Sequence, residues 1–536
     1  MSVQGQGRAL SESLKCPKDF VARLPGFSQL PPEIVAKIFL FVLPHPSCAL
    51  HTTAKQHYVT LPLLVQVSKG WRDIILSWPS LWVRVDSHTR RRIWSAALER
   101  SKLSPITVSM MEDDTRFWKK SLSQIGRWER ATLVCSLKVI SDLNERKMDA
   151  PELRVCTIGV GHDVKENVTL DLRGEMAPKL ESLTLAGIAL RSWDSTVLTH
   201  LQRLALYKVH IIAQDLMLAL RECKAIVQLS LDQLVLSSEW AGSPVLPKYP
   251  HAILLGSLAD LCIKDIESDV VVTLLAALET PRCTSFLLGS ALSQFEDTFV
   301  PACIDYITSA ASIAFASPAR IEFICDHFGP KLRVRCDDRT WQFKILDPTA
   351  FKLITWVLPT FKDVLNRTPT EVAFDSLEGD HALLIHEPGF LNSLPRIETI
   401  RVGLAIRPKM LAALISALSR PQSGGEWEGR WLCPHLRHLH IEADYTDARA
   451  LMGMLRNRKK SAGVVNALET LELSHESTLC TKTFKKIEQI AGLHVLRRSK
   501  AKEQETKKHN RVWAEYWTHI FEETWSMYRM REVSSE

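Results

Sequence analysis

Residues 180–185 read LESLTL and residues 201–206 read LQRLAL. Both have the form L-x-x-L-x-L. The last two leucines are separated by one residue, which is the period of a strand with one buried face. The first leucine stands where the chain would enter that strand. With apolar substitutions the same form occurs as Ile226-x-x-Leu229-x-Leu231 and Leu258-x-x-Leu261-x-Ile263. It returns later as Ile397-x-x-Ile400-x-Val402, Leu436-x-x-Leu439-x-Ile441 and Leu468-x-x-Leu471-x-Leu473.

The central positions 183, 204, 229 and 261 lie 21, 25 and 32 residues apart. Spacings of about 20–29 residues with this form mark leucine-rich repeats; here they start in range and then lengthen. Helical patterns separate the strands at 213–221 (AQDLMLALR), 270–279 (VVVTLLAALE) and 409–419 (KMLAALISALS). Alternating strands and helices predict parallel strands, with the leucines buried between sheet and helices. The expected fold class is α/β, with an irregular leucine-rich-repeat-like solenoid over 85–481. A solenoid exposes one long face, so that region is expected to be a recognition surface for an unknown protein target.

The pattern lapses around 290–385. There Ala319-Arg320-Ile321-Glu322-Phe323, Leu332-Arg333-Val334-Arg335-Cys336 and Trp341-Gln342-Phe343-Lys344-Ile345 alternate, and Asp337-Asp338-Arg339 suits a turn. These predict antiparallel strands, followed by a helix at 349–361 and a strand at 371–374. Arg333 and Arg335 suit either an acidic ligand or a solvated strand face.

The N-terminal part differs. Residues 30–44 read LPPEIVAKIFLFVLP. Pro31 and Pro32 fit a first helical turn, where a missing N–H costs nothing. Glu33 suits the helix N-terminus. Ile34, Val35, Ile38, Phe39, Phe41 and Val42 follow at helical spacings, with only Glu33 and Lys37 charged. A helix apolar nearly all round must bury more than one side. A second helical segment is predicted within 61–82 (LPLLVQVSKGWRDIILSWPSLW), with Leu64, Val67, Trp71 and Ile74 on one face. Gly70 weakens it by about 1 kcal/mol, and Trp78-Pro79 stops it. So few short helices make a poor core alone; they fold onto the rest of the chain or are completed by a partner.

Leu30-Pro31-x-Glu33-Ile34…Ile38-Phe39, followed by Val67-x-x-x-Trp71-Arg72-x-Ile74…Leu81-Trp82, resembles the F-box. The next segments, helix-like at 97–101 and strand-like at 105–108 and 127–134, are similar to the F-box proteins expanded in mushroom-forming fungi, in which degenerate leucine-rich repeats follow the box. The resemblance implies an all-α F-box module over 28–84 that docks a Skp-type adaptor, and through it a cullin. The implied contact residues are Leu30, Pro31, Glu33, Ile34, Ile38, Leu64, Val67 and Trp71. It also implies a substrate-recognition subunit of a ubiquitin ligase, not itself an enzyme, in the cytoplasm or nucleus. Residues 44–60 (PHPSCALHTTAKQHYVT) form a longer connector than the family usually has. That favours the alternative, a repeat scaffold whose box is vestigial.

Composition sets the remaining bounds. Of 536 residues, 46% are hydrophobic and 24% charged, as in packed proteins. The net charge of +7 is too mild to imply nucleic-acid binding. Twelve cysteines without a C-x-x-C fit a reducing compartment. No apolar run has the length of a membrane span. Residues 1–27 read as a tail rather than a secretory signal. Residues 482–536 are basic, and Trp513, Trp517, Ile520, Phe521, Trp525 and Tyr528 stripe an amphipathic helix expected to cap the last repeat. No nucleotide-binding, zinc-protease or hydrolase motif is present, and no cofactor is expected. Cys433, His435, His438 and His440 are the nearest approach to a metal cluster, but strand alternation places His438 and His440 opposite Leu439 and Ile441.

Overall fold

The computed structural model describes residues 30–43, 51–111, 114–146, 148–160, 168–193, 195–236, 252–289, 304–309, 320–326, 329–335, 340–345, 368, 370–374, 391, 396–403, 408–421, 428–442, 447–473, 481–490 and 493–497. The tail over 1–27, the turn at 337–339, the helix at 349–361 and the aromatic stripe of 513–528 lie outside them. The fold is mixed α/β with mostly parallel strands, in two compact units divided between Val197 and Leu198.

The first unit opens with three helices, α1 (Pro32–Val42), α2 (His51–Val65) and α3 (Lys69–Ser77). The sequence suggested a connector up to residue 60 and one helix beginning near 61. Instead α2 begins at His51, runs through Pro62 and ends at Val65, and a separate helix starts after Ser68. The cause is local: the Ser68 hydroxyl accepts the Trp71 N–H at 3.1 Å, an N-cap. Gly70 therefore sits in a first turn, not in a helix interior. Trp78 is extended and ends α3 before Pro79, as the proline requires.

A short 3-10 turn (Pro79–Trp82) joins these helices to an alternating series: β1 (Arg84–Asp86), α4 (Arg91–Arg100), β2 (Ile106–Met110), α5 (Thr115–Leu122), β3 (Trp128–Cys135), α6 (Leu137–Glu145), β4 (Val155–Val160) and β5 (Ser182–Ala186). The five strands pair in that order, all parallel. Register aligns Val85, Val108, Ala131, Cys156 and Leu183, every one buried. Aromatic residues fill the helical side: Trp94 meets Phe117 edge-on at 5.4 Å, and the Trp128 indole N–H donates to the Ser121 carbonyl at 3.1 Å.

The second unit runs β6 (Arg203–Tyr207), α7 (Ala213–Glu222), β7 (Gln228–Asp232), β8 (Asp260–Lys264), α8 (Ser268–Ala277), β9 (Ser285–Leu288), β10 (Arg320–Asp326), β11 (Gly329–Arg335), β12 (Thr340–Ile345), β13 (Thr370–Phe374), β14 (Ile397–Val402), α9 (Pro408–Ala417), β15 (His438–Ile441), α10 (Ala448–Lys460), β16 (Thr470–Leu473), α11 (Thr481–Glu488) and β17 (His494–Arg497). Strands β6 to β9 are parallel and in order. Next to β9 comes β12, then β11 and β10 in an antiparallel meander. The parallel series resumes from β10 through β13 to β17.

The repeated sequence form has a repeated geometry. Its first apolar residue closes a tight turn: the N–H groups of Leu201, Ile226, Leu258 and Leu436 donate to the carbonyls of Leu198, Cys223, Leu255 and Cys433 at 3.1–3.3 Å. Its second residues align across strands, as Leu204, Leu229 and Leu261 do, and are buried. Lys208, Gln233 and Asp265, each directly after a strand, take left-handed φ values of 51°, 51° and 50°. In the first unit Gly187 does the same after β5, with φ 68°. A turn that recurs with Lys, Gln, Asp and Gly is set by the ladder it ends, since Lys and Gln disfavour that conformation.

Candidate functional site

The N-terminal helices show two apolar sets. The inner set is filled from within the chain: Val35, Ala36 and Phe39 of α1, Tyr58 and Leu61 of α2, Ile75 of α3, and Leu81 are all buried. Phe39 meets the Trp71 ring edge-on at 4.8 Å. The Trp82 indole N–H donates to the Ile75 carbonyl at 2.7 Å, and the Arg100 guanidinium lies 4.6 Å over the Trp82 ring.

The outer set faces solvent. On α1 the spacing places Ile34, Ile38 and Phe41 on one side, opposite Val35, Ala36 and Phe39. Ile34 is 40% exposed and Phe41 90%, with Ile38 half-buried. Leu40, Val42, Leu63, Val67 and Leu76 are also exposed. Of the residues implied by the sequence, Leu30, Pro31, Glu33, Ile34 and Val67 are exposed, whereas Ile38, Leu64 and Trp71 are partly covered. Phe41 and Leu63 are more exposed than Leu30, Ile34 and Val67 and lie outside the implied contact set. The signal for Phe41 was present in its spacing from Ile34 and Ile38.

The same module holds a buried polar group on α2. His57 Nε2 is 3.2 Å from the Leu81 carbonyl, which only accepts, so Nε2 carries the proton. Burial, and then the Arg84 charge, push the His57 pKa down to about 4. The ring is neutral and fastens α2, within the lengthened connector, to the entry of β1.

In the second unit, strand alternation divides apolar from polar positions. The polar side of β10–β14 carries an ionic network. Glu322 (β10) and Glu371 (β13) are buried. Arg333 reaches Glu322 at 3.0 Å and Arg335 reaches it at 2.8 Å. Arg320 contacts both carboxylates, and Arg401 meets Glu371 at 2.9 Å.

Cys433, His435, His438 and His440 take separate roles. Cys433 is buried, its thiol pushed up to about 12 by burial. Arg458, fully buried, donates to the Leu432 and Cys433 carbonyls at 3.3 and 2.8 Å. His440 instead pairs with Glu472 on the polar side of the sheet. Among the described residues no three His, Cys, Asp or Glu side chains are placed to hold a metal ion. The thiols of Cys156, Cys223 and Cys262 are likewise held up near 12 by burial, so none is primed as a nucleophile. Among the described residues no helix is long and apolar enough to cross a membrane.

No protein-family model matches the chain, and no curated protein matches it.

Proposed function

We propose that the chain is the substrate-recognition subunit of a Skp–cullin–F-box ubiquitin ligase. The helices α1–α3 are the F-box and dock the adaptor. The two sheet units are a degenerate leucine-rich-repeat array that holds the target. The observation that carries this reading is the outer face of α1–α3. Its apolar side chains stay exposed although the module's own core is already filled. Burying one such Ile or Phe is worth about 1.5–3 kcal/mol, which a helical partner would recover. The repeated turns and aligned leucines support the array. The subunit performs no bond-making step; holding the target beside the conjugating machinery raises its effective concentration.

Co-expression with a Skp-type adaptor and pull-down tests this. Phe41→Asp and Val67→Asp are suitable variants because both positions are exposed. Trp71 is a poorer choice, since its ring packs on Phe39. Capture of the native chain, lost in both variants at unchanged melting temperature, is expected. The lengthened connector, helical from His51, favours a second reading: a repeat scaffold whose box no longer docks. A folded native chain that fails to capture the adaptor would select it.

A further inference from the structure

The polar side of β10–β14 carries more positive charge than its internal pairing uses. Four guanidinium groups, from Arg320, Arg333, Arg335 and Arg401, surround two carboxylates, Glu322 and Glu371. The carboxylates are nearly closed off, with side chains 7% and 4% exposed. The guanidinium side chains are 26–50% exposed. Among the described residues these four arginines pair only with the two carboxylates, so two positive charges go uncompensated within the network. Arg320 lies close enough to Arg335 and Arg401 that both depress its pKa, although burial is the larger cause. Like charges are thus held together by buried anions, while each arginine side chain keeps part of its surface in solvent.

A solvated strand face accounts less well for this arrangement. A surface lysine or arginine costs nothing when it points alone into water, whereas burying two carboxylates is costly unless they are paired. Here that cost is spent on fixing guanidinium groups, whose planar forks match carboxylates two bonds at a time. Ordered by strand, the pairing runs β11 (Arg333, Arg335), β10 (Glu322, Arg320), β13 (Glu371) and β14 (Arg401). Three strand spacings make about 14 Å. Positive charge distributed over that length fits an extended segment with several separate anions better than one compact anion.

We propose that this face of the second unit binds an acidic peptide segment of a partner protein, with carboxylates of the segment meeting the outer N–H groups of these four arginines. The proposal rests on reading the second unit as the recognition surface, and names the chemistry it selects. It does not depend on the adaptor.

The test is fluorescence anisotropy of the purified full chain with a labelled octapeptide of alternating Glu and Ser, without adaptor. Binding is expected to weaken several-fold as salt rises from about 50 to 200 mM, as partly exposed charges are screened. Arg335→Gln and Arg401→Gln should each weaken it by about threefold or more, the scale of a partly exposed ion pair. Glu322→Gln should strengthen it, because it removes a competing anion. Damage to the fold would weaken all three alike, so opposite signs separate recognition from structure. No binding by the folded native chain, equal binding of the three variants, equal binding of a Lys-Ser octapeptide, or displacement by millimolar inorganic phosphate would overturn the proposal. None of those outcomes bears on adaptor capture.

Discussion

The N-terminal helices and the sheet units handle apolar residues in opposite ways. In β6–β8 and β14–β16 the apolar positions of the repeated form are buried, and most positions alternating with them are polar, with Ala205 and Cys262 among the exceptions. Each strand is completed by its neighbours in the same chain. In α1 the inner positions are buried, yet Ile34, Phe41 and Val42 remain exposed. Among the described residues the sheet strands are covered by their neighbours, whereas Ile34, Phe41 and Val42 of α1 stay exposed. On the two proposals above, the polar surplus would be met by an acidic segment and the apolar surplus by the adaptor.

That contrast can be tested by substitution. Leu471→Ala removes a fully buried side chain of β16 and should cost roughly 2–5 kcal/mol, read by denaturant unfolding of the second unit. A cost below about 0.5 kcal/mol would mean that the ladder core is not close-packed.

Next is acid. His57 has a folded pKa of about 4 against an ordinary 6.5. The unfolded chain therefore binds the extra proton between those values. Stability of the α1–α3 module is full above about 6.5 and falls as pH drops towards 4, by at most roughly 3 kcal/mol. In the second unit Asp232 behaves oppositely. Burial raises its carboxyl to about 6, so its contribution is lost as pH rises from about 4 to 6. Hydrogen exchange across this window should show falling protection in 32–82 but not in 228–264. His57→Gln should flatten the first trend; an unchanged slope would show that another group sets it.

Smaller still is Ser68→Ala. It deletes the cap of α3 and should cost about 1 kcal/mol in the same module. The smallest effect belongs to Phe41→Ser, which should alter stability by less than about 0.5 kcal/mol despite losing an aromatic ring, because that ring has little to pack against. A large loss there would erase the distinction between the two regions.

Much of the ladder was legible because its slots are filled by leucine or isoleucine at fixed spacing. The missed strands use the same slots with other residues. Leu153-x-x-Cys156-x-Ile158 and Cys283-x-x-Phe286-x-Leu288 align with their neighbours, and all six residues are buried. A buried slot accepts any apolar side chain that fills it, so a leucine template overlooks Cys, Ala and Phe. The start of α2 was illegible for a different reason. His57 and Tyr58 look polar in sequence, but both are buried. The α1 face was readable from the spacing of Ile34, Ile38 and Phe41. The arginine network was only half readable: Arg333 and Arg335 stand out, but Glu322 and Glu371 become neighbours only when β10 pairs with β13.

The most direct measurement is isothermal titration of a purified Skp-type adaptor into the purified full chain, beside Phe41→Asp. A one-to-one complex with the native chain, weakened at least tenfold by a substitution that leaves melting unchanged, would establish α1–α3 as the docking face. No heat and no complex on gel filtration, from a native chain that is folded and unaggregated, would contradict it.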